Sequence, residues 1–145
     1  MKHDLDLYCI TGDVPVGFYA AATAKHSARG REDDSLMFLI TQISGEQMDQ
    51  EPLKALFERL SGLFFKTSGS VTSAMRTLIA GLNSNLTERN LKLPEGAEQI
   101  SAALGLAVIH HDTLFVAQCG LCQVLLLQEG HSQLLFDPDL DPRGL

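Results

Sequence analysis

SAALGLAVIHHDTLFVAQCGLCQVLLLQEGHSQLLF, residues Ser101 to Phe136, is a series of short apolar runs broken at His111-Asp112, Gly120 and Glu129-Gly130. Each run has the length of a strand and is rich in Leu, Val, Ile and Phe. The break Gln128-Glu129-Gly130-His131 puts a glycine where a hairpin turn needs positive φ. The pattern predicts a β-meander in which two strands are buried on both faces. The rest of the chain must supply what covers it.

Immediately upstream, Leu91 to Gln99 contains Pro94-Glu95-Gly96 and reads as a surface loop. Before it the apolar period changes. Leu53, Leu56, Phe57, Leu60, Leu63 and Phe64 fall at the 3–4 spacing of one helical face, with Lys54, Glu58, Arg59 and Lys66 largely off it. Pro52 suits the first turn of that helix. Gly69-Ser70 ends it, and Ser70 is a fair N-cap for a second helix carrying Val71, Ala74, Met75, Leu78, Ile79, Leu82 and Leu86 on one face. So short a break predicts an antiparallel helix pair. Phe57, Phe64 and Phe65 read as core residues; Phe65 lies beside the main stripe, and facing a partner is its alternative reading.

Further upstream, Ser35 to Ile43 is apolar at nearly every position and reads as a central strand. Val16 to Ala24 and Leu5 to Ile10 are weaker strand candidates. Strands, two helices, then strands make an α+β fold, an antiparallel β-sandwich with the helix pair packed on one sheet. The expected organisation is a single domain over residues 1–136. The acidic, Pro-containing stretch 137–145 (DPDLDPRGL from Asp137 onward) reads as a linker or tail, so the chain is expected to be part of a longer protein.

The totals exclude several classes. Net charge is −7, with 18 acidic against 11 basic residues, which argues against nucleic-acid binding through a basic face. No apolar run reaches the roughly 20 residues of a membrane helix, so no membrane partner is expected. The N-terminus MKHDLDLY has Asp where a signal peptide is apolar, and 3 Cys are too few for a disulfide scaffold. Both point to the cytoplasm.

Three stretches carry a family resemblance: Arg29-Gly30-Arg31-Glu32-Asp33-Asp34-Ser35, the helix-pair segment FFKTSGSVTSAMRTLIAGLNSNLTERN, and LFVAQCGLCQVLLLQEGHSQLLF. In this order they resemble R-x-x-N-E-D before a strand, the helical layer, and the L-x-V-A-x-x-G-D-S-R-x-x-L hairpin of the PPM family, the metal-dependent type 2C protein phosphatases. The match covers the first half to two-thirds of a complete PPM domain. The resemblance implies a β-sandwich flanked by helices and a binuclear Mn²⁺ or Mg²⁺ site that activates water against a phosphoserine or phosphothreonine. It places Arg29 at the substrate phosphate, a role suited to a guanidinium fork, and Asp33 and Asp34 in the metal shell.

The departures are in the carboxylates. Where the family has an Asp-Gly-rich sequence after the next strand, this chain reads Phe38-Leu39-Ile40-Thr41-Gln42-Ile43-Ser44-Gly45. Where the hairpin has Gly-Asp, it reads Gly120-Leu121. Asp33 and Asp34 alone cannot satisfy the oxygen shells of two hard cations. The expectation is therefore a catalytically impaired phosphatase-like domain working as a binding or regulatory module, with no cofactor, and with Mn²⁺ or Mg²⁺ only if activity persists. Two alternatives stand beside it. One is the N-terminal part of a longer active phosphatase. The other is a structural subunit, such as a homodimer, joined through an uncovered sandwich face.

The remaining candidates have plain readings. Arg29 to Asp34 also reads as a solvated charged loop, with Asp33-Asp34 protecting a strand start. Cys119-Gly120-Leu121-Cys122 is a CxxC between strands, not at a helix start, and reads as two small buried residues flanking a bend. His110-His111-Asp112 reads as a hairpin tip. Ser68 to Ser73 lacks the Walker lysine and reads as a helix boundary.

Overall fold

In the computed structural model the described residues are 18–23, 27–120 and 123–135, with side chains described from residue 27 onward. The elements in order are β1 (Phe18–Thr23), β2 (Ser35–Ser44), α1 (Gln50–Lys66), α2 (Val71–Leu91), β3 (Ser101–His110), β4 (Thr113–Cys119), β5 (Val124–Gln128) and β6 (His131–Leu135). The fold is α+β, with a helix pair and two antiparallel sheets. One sheet has four strands in the order β1-β2-β3-β4, and the other is the β5-β6 pair. No helix among the described residues is long and apolar enough to cross a membrane. The strand candidate Leu5 to Ile10 and the tail 137–145 lie outside the described residues.

The helical period sets the core. Leu56, Leu60, Phe64 and Phe65 of α1 and Val71, Ala74, Met75, Leu78 and Leu82 of α2 are buried together against the sheet. The sheet answers with cross-strand pairs on one face: Leu36 opposite Val108, Phe38 opposite Leu106, Ile40 opposite Leu104. Phe57 extends this contact, its ring 5.0 Å from that of Phe38. Phe65 is a core residue and not a partner-facing one, with its ring edge-on to Phe64 at 5.1 Å.

Two expectations about the strands change. β2 is central, between β1 and β3, as expected, but the meander strands β3 and β4 are not buried along both faces. Met37, Ala107 and Ile109 are half-buried and Leu39 is exposed on the side away from the helices. A continuous apolar run thus marks a one-sided strand here, because the strand period still turns alternate residues toward one covered face. Nor is the C-terminal stretch one meander. Gly120, at φ +75°, follows the end of β4, and β5 and β6 pair with each other in a separate sheet. The Glu129-Gly130 turn has the expected form, with Gly130 at φ +71°.

Two side chains fix where the helices meet the sheet. Ser70 caps α2, its Oγ accepting from Ser73 N at 3.1 Å. At the other end of α2, Asn90 clamps the start of β3: its Nδ2 donates to Ile100 O at 2.9 Å and its Oδ1 accepts from Ile100 N at 2.7 Å. Gly45 lets the turn after β2 run against this point. It sits at φ +84°, and a Cβ there would lie 2.9 Å from Ile100 Cα.

Candidate functional site

The loop before β2 folds as consecutive tight turns. Arg31 N donates to Ala28 O at 3.0 Å, Asp34 N to Arg31 O at 3.2 Å, and Ala28 N to Phe65 O at 2.7 Å, which ties the loop to the end of α1. Gly30 takes φ +88° in the first turn. The turns direct residues to opposite sides. Arg29, Glu32 and Asp33 are exposed, whereas Arg31 is 1% and Asp34 2% exposed.

Arg31 is the hub of this buried corner. Its Nη1 donates to Asp34 Oδ2 at 3.0 Å, its Nη2 to Gly69 O at 2.7 Å and its Nε to Thr67 O at 3.3 Å. The guanidinium carbon lies 5.5 Å from the centroid of the Phe64 ring. Thr67 and Gly69 belong to the link after α1, where helix carbonyls lack intrahelical partners and the helix dipole favours a cation. One arginine thereby satisfies a carboxylate, two carbonyls and an aromatic face.

The second oxygen of Asp34 is also engaged. His110, the last residue of β3, has its Nδ1 2.5 Å from Asp34 Oδ1. An ionised carboxylate only accepts, so Nδ1 carries the proton and donates. The His110 side chain is 27% exposed, and its ring lies 4.2 Å from that of His111. The hairpin tip itself is His111-Asp112, with His111 at φ +51°. The arrangement joins three separate stretches of chain, the loop before β2, the α1–α2 link and the end of β3, through one arginine and one carboxylate.

The three residues that the resemblance singles out are therefore not brought together. Arg29 and Asp33 face solvent, and Asp34 faces inward onto Arg31 and His110. In the sequence Arg31 and His110 have no site role: they read as part of a charged loop and of a hairpin tip. Nothing local marks them, since His110 and Asp34 are 76 positions apart.

The opposite end of β2, where the resemblance expects a bridging Asp, is built from a neutral side chain. Gln42 Nε2 donates to Ser44 O, Gly45 O and Glu46 O at 3.1, 3.2 and 2.7 Å, and its Oε1 accepts from Met48 N at 3.1 Å. Among the described residues no three His, Cys, Asp or Glu side chains form a cluster suited to a metal ion. The described residues at the two ends of β2 do not fit a binuclear hard-cation site: Asp34 has both oxygens committed, and Gln42 engages its amide in its own turn. Cys119, expected to be buried, is exposed and free at the end of β4, while Cys122 lies outside the described residues. No protein-family model, curated protein or solved structure matches the chain.

Proposed function

We propose that the chain is a phosphatase-like domain of the PPM type that has lost metal-dependent hydrolysis and works as a binding or regulatory module in the cytoplasm. The observation that supports this reading is the state of Asp34. It stands at the acidic position of the resemblance, yet Arg31 and His110 occupy both of its oxygens inside the protein. Releasing it toward a metal would leave the Arg31 charge buried without its partner, a large penalty. Gln42, and Leu121 after Gly120 in the sequence, stand where the resemblance expects further carboxylates, which supports the same reading. Arg29, exposed in the same loop, remains placed to meet an anionic group of a partner.

The test is titration calorimetry with Mn²⁺ together with turnover of a phosphoserine peptide at millimolar Mn²⁺. The expected result is no tight two-site binding and no turnover above buffer. Stoichiometric binding of two ions, or turnover abolished by Asp33→Ala or Asp34→Asn, would overturn the proposal.

A further inference from the structure

Among the described residues, β4 forms one edge of the four-stranded sheet, and its outer side pairs with no described strand. Its sequence, TLFVAQC from Thr113 to Cys119, has no charge and no proline. Edge strands ordinarily carry one or the other, because unpaired N–H and C=O groups otherwise template the addition of a further strand. The chain does not lack charges, with 18 acidic and 11 basic residues, but none falls on this edge. Beside it a mostly apolar groove of about 360 Å³ opens between α2 and the sheet, lined by Ile79, Ala80, Leu86, Leu104 and Cys119 among others.

We propose that β4 is the seam of a homodimer, two copies pairing their β4 strands antiparallel about a two-fold axis at Val116. The sequence of β4 is self-complementary in that register. Phe115 of one copy stands opposite Ala117 of the second, and the axis repeats the pair in reverse, so each bulky ring lies beside a small residue. Phe115 and Ala117 are both partly buried against the helix-side core, so the pairing continues a face that already packs. On the other face Val116 meets its own counterpart, and Leu114, 43% exposed, meets Gln118. A two-fold contact of this kind uses one patch twice and closes on itself. The groove, formed by α2 and β3, reaches this edge at Cys119, so the second copy meets apolar surface at that end of the seam as well as completing backbone hydrogen bonds. An unrelated extended peptide gains the backbone bonds without the large-to-small match. This inference is independent of the phosphatase-like reading.

The experiment uses the full chain. Light scattering on a sizing column across a wide concentration range is expected to show the mass rising from 15.8 kDa toward twice that value. The register is tested with Thr113→Cys in a Cys9→Ser, Cys122→Ser background. Thr113 of one copy stands opposite Cys119 of the other, so mild oxidation gives a disulfide-linked dimer, and the background without Thr113→Cys gives none. Val116→Lys sets two ammonium groups face to face and is expected to leave a folded monomer by circular dichroism. Should that variant unfold, the cross-link decides alone. A monomer at every concentration, a dimer without the cross-link, or a folded Val116→Lys that still dimerises would each overturn the proposal. So would a monomer that takes up an extended peptide at this edge.

Discussion

The two ends of β2 solve the same problem with opposite chemistry. Both ends leave a loop whose backbone polar groups must be satisfied. At the N-terminal end this is done with ions: Arg31 and Asp34, nearly inaccessible, reach carbonyls of the α1–α2 link and the end of β3. At the C-terminal end neutral groups do it: Gln42 gathers the carbonyls of its own next few residues, and Ser44 Oγ donates to Gln99 O at 2.9 Å. The charged end joins distant segments and is intolerant of losing one member. The neutral end carries no charge and its bonds lie nearer solvent, so water can replace much of it. The PPM resemblance expects metal-binding carboxylates at both ends, and neither polar group is free for that work.

The comparison breaks most sharply at Asp34. Asp34→Ala leaves the Arg31 guanidinium buried without its counter-ion and is expected to cost about 3–5 kcal/mol. A urea midpoint lowered at unchanged slope, by the shift whose product with the slope equals that loss, confirms it. A loss no larger than that of an exposed pair would mean the corner is wet. His110→Ala removes only one of the carboxylate's partners. Asp34 keeps Arg31, and the expected loss is about 1.5–3 kcal/mol for a hydrogen bond to a charged group, read by the same titration. Gln42→Ala is the smallest, roughly 1 kcal/mol, because its acceptors lie near solvent. If Gln42→Ala proved as damaging as Asp34→Ala, the distinction between an ionic and a neutral end would collapse.

What the sequence made legible was local. The apolar period of Leu56, Leu60 and Phe64, the cap at Ser70 and the turn at Gly130 each follow from residues within a turn of one another. What it hid depends on distance along the chain. Asp34 reads equally as a metal ligand or a solvated acid until His110 and Arg31 are placed beside it. Phe65 reads as marginal because it lies off the α1 stripe, yet it is 5% exposed within the core cluster, and its backbone carbonyl accepts from Ala28 N of the loop before β2. The apolar runs of the C-terminal stretch promised two strands covered on both faces. Strand composition alone does not separate a residue packed under a helix, such as Leu106, from a half-buried one on the other face, such as Ile109.

The reach of Arg31 also bears on the order of events in folding. Its carbonyl partners are 36 and 38 positions away, and the carboxylate it holds is completed by a histidine 76 positions away. Closing such spans early costs chain entropy with little contact to offset it. The guanidinium can leave water only once the helix pair has turned and the sheet has brought His110 to Asp34. The corner therefore behaves as a late latch. The stability lost in Asp34→Ala should appear mainly as faster unfolding, with the refolding rate close to that of the parent chain.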